Sequence, residues 1–216
     1  MAVEDQPLFR GVSHQFAAIV AAVAGVVLVL LAGGGRATVA AAIYAVSLTA
    51  MLGVSAAYHR VWWRPRAQLR WKRADHAMIF VFIAGTYTPI CLLAMGGPAG
   101  SRLLLLVWLG AGLGAAQALL WTHAPRALPV VLYIALGWLM VAYLPEVRAA
   151  LAPAAVLLLL AGGLLYTGGA IVYALRRPNP SPRLFGYHEI FHACVVIACV
   201  CHFVVVAAVV RGHLLA

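Results

Sequence analysis

Charge is what this chain has least of. Only 9% of its 216 residues are charged, and the acidic ones number five: Glu4, Asp5, Asp75, Glu146 and Glu189. A water-soluble domain carries roughly a quarter charged residues, so the polar surface such a domain needs is missing. Lysine is nearly absent. Lys72 is the sole one, and with none in the last apolar run a retinal Schiff base there is excluded. Cysteine is scarce too, and Cys91, Cys194, Cys199 and Cys201 all fall inside apolar runs. They read as small packing residues and argue against a disulfide framework or a thiolate zinc site. The opening segment MAVEDQPLFRGVSHQ has Glu4 and Asp5 where a secretory leader has a basic cluster, and no cleavage signal follows. The first apolar run is therefore expected to be a mature spanning helix.

What the chain has in abundance is hydrocarbon: 65% of residues are hydrophobic and the mean hydropathy is +1.00. The apolar residues gather in seven continuous runs, at 15–33, 38–63, 72–95, 101–121, 128–144, 151–175 and 185–210. Most reach the ~20 residues that carry a helix across a bilayer; the fifth is the short one. Their unbroken apolar character excludes a barrel of alternating strands. The expected fold is an all-α integral membrane protein, a seven-transmembrane helix bundle over residues 15–210 with short tails at 1–14 and 211–216. GGPAGS, HAPRALP and RRPNPSPR are breaker-rich connections, and Pro89 is expected to kink the third span.

The net charge of +10 reads differently in such a protein. It points to membrane topology and anionic headgroups, with no call for a nucleic-acid partner. With the N-terminus in the cytoplasm, eleven of the fifteen basic residues fall on the cytoplasmic side, and only Arg36, Arg102, Arg148 and Arg211 fall outside. Trp62, Trp63, Trp71 and Trp121 lie at the same cytoplasmic interface, as aromatic anchors do. A cytoplasmic N-terminus, an external C-terminus and an inner (plasma) membrane location are the expectation.

Ionisable residues inside a bilayer cost several kcal/mol and call for a reason. Asp75 and Glu189 are the acids in or beside the spans, whereas Glu146 reads as an outer loop. His59 closes the second span, Asp75 opens the third, and His188 and His192 lie in the first turns of the seventh; His14, His123 and His213 fall near loops or ends. Three spans thus place imidazoles and a carboxylate at one depth. His188 and His192, four apart, share a helix face, and with His59 they make the three-imidazole set of an open zinc site. Asp75 then accepts a hydrogen bond from the metal-bound water or orients a ligand. The competing reading of each histidine is an interhelical hydrogen bond. His76 reads as an interface anchor, His202 as a packed polar contact near mid-membrane, and Ser55, one turn before His59, as either a packing residue or a hydroxyl serving the site. His188 and His202 have a spacing compatible with haem, but no other span offers a mid-membrane histidine opposite His202.

Three elements in order, Ser55-Ala-Ala-Tyr-His59 as S-x-x-x-H, Asp75 in RADHAMIFVFIAGTYTP, and H-x-x-x-H in FGYHEIFHACVVIACVCHF, resemble the haemolysin III branch of the progestin and adipoQ receptor (PAQR) family. The resemblance covers essentially the whole chain. It extends to a wider group of proposed membrane hydrolases that includes alkaline ceramidases. It implies zinc held by His59, His188 and His192, Asp75 bonded to the zinc-bound water, and Ser55 nearby. Haemolysis comes with it only as a label.

Three functions follow as alternatives. The first is a zinc-dependent hydrolase of a lipid amide or ester entering from the bilayer, with Asp75 as base. The second is a non-enzymatic, zinc-stabilised receptor or regulator of membrane state. The third is an intramembrane metalloprotease, since HEIFH spells H-E-x-x-H; those enzymes use a further ligand, often a later Asp, and no acid follows Glu189. The spelling is expected to be incidental. Membrane lipids are the expected partners under any of the three.

Overall fold

A computed structural model describes residues 7–121, 123–125 and 127–212, leaving residues 1–6 with Glu4 and Asp5, Thr122, Arg126 and residues 213–216 with His213 outside the described residues. Helices α1 (Val12–Leu30), α2 (Gly35–Arg60), α3 (Pro65–Pro89), α4 (Gly97–Leu120), α5 (Ala127–Gly137), α6 (Leu144–Ala150), α7 (Pro153–Leu175) and α8 (Tyr187–Val210) follow one another. Among the described residues there is no strand. Seven helical stretches are long and apolar enough to cross a membrane, with α5 and α6 joined into one. The fold is an all-α, multi-pass membrane bundle.

Local chemistry sets the helix ends. Prolines open α3, α4, α6 and α7, where a missing N–H costs nothing and φ is already helical. This explains why the third span begins at Pro65, earlier than the apolar run at 72: its first two and a half turns are the basic, Trp-bearing PRAQLRWKR. Trp63 and Trp71 stack there at 4.7 Å, and the Trp63 indole donates to the Ala57 carbonyl at 2.9 Å. Pro89 cannot donate to the carbonyl four residues back, and α3 passes directly into a π-helical turn, Ile90–Met95.

The fifth span is the principal departure from the sequence reading. It runs Ala127–Ala150, tightening at Trp138–Tyr143 into a 3₁₀ segment. Tyr87 of α3 supports that break: its hydroxyl donates to the Gly137 carbonyl at 2.7 Å and accepts from the Met140 N–H at 2.9 Å. Buried backbone groups in an apolar medium need such partners. The sequence places Glu146 in an outer loop, yet it sits in the first turn of α6, where the helix dipole favours an acid.

Neighbouring helices pack in sequence, α1 on α2, α2 on α3, α3 on α4 and α7 on α8, and α8 also touches α1, α2 and α3. Tyr44, Leu48, Met51, Phe82, Val195 and Val206 make one core between α1, α2, α3 and α8. Glycines permit the close approaches: a Cβ on Gly25 would sit 2.8 Å from that of Ala45. The outward residues are large and apolar, Leu30, Leu113 and Leu120 among them, and face lipid. All four cysteines are free thiols.

Candidate metal centre

The return of α8 against α2 builds the site. His59 lies in the last turn of α2 and His188 in the first turn of α8. His192, one turn further along α8, is buried. Their ring centroids are 4.8 Å (His59–His188), 5.1 Å (His59–His192) and 4.6 Å (His188–His192) apart. One nitrogen from each ring can be chosen so that all three lie within 4.8 Å of one another, an arrangement that could hold a metal ion. Two buried ring nitrogens, His59 Nε2 and His192 Nδ1, have no hydrogen-bond partner. Buried polar atoms are rarely left this way, and a lone pair offered to a metal answers it. Three imidazoles are also a donor set that suits zinc. The residues present therefore fit a metal.

Ser55 and Asp75 form a separate pair. Ser55 is buried on α2 one turn before His59, and its side chain is hydrogen-bonded to the Asp75 carboxyl. The phenols of Tyr58 and Tyr133 lie within electrostatic range of that carboxyl. Asp75 is not one of the atoms gathered with the three imidazole nitrogens. Because α3 starts at Pro65, Asp75 stands ten residues into its helix, about 15 Å along the axis, deeper than the start of an apolar run suggests.

Glu189 is fully engaged. Its Oε2 accepts from the Gly186 N–H at 2.7 Å, the reach-back bond of a capping box at the start of α8. Its Oε1 accepts from Arg10 Nε at 2.5 Å. The carboxylate is buried, and both its oxygens already accept a hydrogen bond that serves the helix start. His202 Nε2 donates to the Leu159 carbonyl at 3.2 Å, a packed contact between α7 and α8. His76 offers its backbone carbonyl to the Tyr133 hydroxyl at 3.2 Å.

Two residues that the sequence placed at the periphery belong to this neighbourhood. His14 is 3% exposed and stacks on His192, centroids 3.9 Å apart and planes within 9°. Arg10, besides holding Glu189, brings Nη1 to 3.3 Å from His188 Nδ1. A signal was available for His14: it abuts the first apolar run at the same inferred depth as His59 and His188.

A family model matches nearly the whole chain, and known proteins resemble 56–78% of it. The family model described as "Haemolysin-III related" matches residues 4–203. The Hemolysin-3 of Bacillus cereus is 30% identical over 171 residues, 78% of each chain. The Hemolysin-3 homolog of Bacillus subtilis (strain 168) is 34% identical over 122 residues, 56% of this chain and 54% of that one. The human monocyte to macrophage differentiation factor is 28% identical over 131 residues, 58% of this chain and 55% of that one. The last two alignments span about half of those relatives' lengths. A family match that begins in the N-terminal segment beside the histidine cluster and runs into α8 takes in every element that builds the site: the chain belongs to the haemolysin III-related family, in the branch shared with the progestin and adipoQ receptors.

Proposed function

We propose that this haemolysin III-like membrane protein is a zinc-dependent hydrolase of a membrane lipid, cleaving an amide or ester bond. His59, His188 and His192 would hold the zinc. The observation that carries the reading is the buried cluster of three imidazoles with two ring nitrogens left unpartnered. When bound, zinc supplies Lewis-acid polarisation of a carbonyl oxygen and an activated water near neutral pH.

The chain's own residues supply the rest. Asp75 takes the proton of the attacking water, and the Ser55 hydroxyl bonded to it fixes the carboxyl's orientation. The site stands inside an apolar bundle, so a lipid reaches it sideways from the bilayer with its polar bond leading. The proposal includes a cytoplasmic N-terminus, an external C-terminus, tails at 1–14 and 211–216, and residence in the inner (plasma) membrane. Haemolysis is what two relatives' names say of those proteins; lipid hydrolysis is the activity proposed for this chain.

The test begins with metal content by mass spectrometry on detergent-purified protein, wild type beside His59→Ala and His188→Ala/His192→Ala. About one zinc per chain, lost in both variants, is expected. A panel of lipid amides and esters follows, with Asp75→Asn keeping its zinc and losing turnover by roughly 10²–10⁴-fold. Zinc without turnover on any panel member would support the alternative, a receptor or regulator in which the metal pins α2 to α8. No zinc in folded wild type, even after resupply, returns the histidines to helix packing.

A further inference from the structure

The N-terminal segment touches each of the three candidate ligands. Two backbone bonds anchor it to the connection before α8: Leu8 N–H to the Arg183 carbonyl at 3.0 Å and Phe9 N–H to the Leu184 carbonyl at 3.3 Å. Arg10 then reaches His188 and Glu189. Gly11, with φ of 75°, turns the chain against His59, so closely that a Cβ at residue 11 would lie 2.6 Å from the His59 Cβ. Both the left-handed backbone and the approach demand glycine. His14 lies flat on His192.

The stack also defines what His14 does. An imidazole lone pair lies in the plane of its ring, so an ion held by His192 lies in the His192 plane. The His14 plane is nearly parallel and a stacking distance away, so its lone pairs pass the ion by. His14 is not a ligand of that ion. The orientation of a ligating ring is part of what holds its metal. His192 Nδ1 is the nitrogen left for the ion, and the flat face of His14 lies against the ring that carries it.

Resting on the zinc reading above, we infer that the segment from Arg10 to His14 is a positioning wall of the metal centre, with His14 holding the His192 ring by stacking and Gly11 holding His59 by contact. It makes His14 a positioning residue whose ring face matters and whose nitrogens do not.

The test is zinc affinity of the full-length protein in detergent, by competition with a fluorescent chelator, alongside the melting midpoint of zinc-stripped protein. His14→Ala removes the face and is expected to weaken zinc binding about 10-fold or more, the scale of lost ligand support. His14→Phe restores a flat ring without nitrogens and is expected to bind within about threefold of wild type, since only the face is needed. Wild-type affinity in His14→Ala overturns the inference. So does His14→Phe binding as weakly as His14→Ala, because the nitrogens would then be required. Should His14→Ala fail to fold, Gly11→Ala decides: it is expected to weaken binding by displacing His59, and wild-type affinity there overturns the wall. Wild type that binds no zinc refutes the metal reading itself, and is told apart because all variants then behave alike.

Discussion

At the scale of single residues, the site separates charge that serves folding from nitrogen available to a metal. Glu189 lies between two candidate ligands in sequence, yet its two oxygens go to Arg10 and to the Gly186 amide. Removing one partner of a buried ion pair costs roughly 3–5 kcal/mol, because the other charge is left uncompensated. Glu189→Gln is therefore expected to lower the melting midpoint clearly while keeping about one zinc per chain and whatever lipid turnover the wild type has. Replacing Arg10 as well, in Arg10→Gln/Glu189→Gln, is expected to recover part of the midpoint. A Glu189→Gln protein that keeps its midpoint and zinc but loses all turnover would make Glu189 the catalytic base and revive the protease reading. The sequence carried His59, His188 and His192 because two of them have helical spacing and the third is at a countable depth. It concealed Arg10 because its importance lies in contacts across 178 and 179 positions, which no local pattern encodes, and it gave His14 a depth without the ring contact that makes it matter.

At the scale of elements, apolar length announced every span, while helix ends and breaks followed rules that length does not report. The third span was legible from 72 onward and actually starts at a proline cap. The fifth looked short because Pro145 and Glu146 resemble a loop, and only Tyr87 of another helix explains how the backbone is satisfied there. Small residues were visible in the runs, but which of them face a neighbour was not. Gly168 and Gly169 make the distinction testable. A Cβ on Gly169 would lie 2.9 Å from the Cys194 Cβ of α8, whereas one on Gly168 meets nothing within 4 Å. Gly169→Val is expected to push α7 from α8 and cost about 1–3 kcal/mol by overpacking. Gly168→Val, on an exposed face, is expected to be neutral or slightly stabilising through better helix propensity. Melting of the two variants in the same detergent checks this; equal midpoints would mean that the α7–α8 interface is not packed as described.

At the scale of the whole molecule, the charges and the candidate site share one end of the bundle. Arg60, Arg64, Arg66 and Arg70 cluster around the α2–α3 connection, beside the end of α2 that carries His59. Arg176, Arg177 and Arg183 precede α8, beside the end that carries His188. Basic residues near spanning helices are retained in the cytoplasm, so on the proposed orientation the histidine cluster would lie toward the cytoplasmic leaflet. A lipid processed there would come from that leaflet. In a variant with its four native cysteines replaced, single cysteines at Pro98 and Pro182, both exposed, report the two sides. Cys at position 98 is expected to react with a membrane-impermeant maleimide in intact cells, and Cys at 182 only after permeabilisation. The opposite pattern would leave the imidazole cluster intact but turn it toward the outside, and the lipid supply would then have to be sought in the outer leaflet.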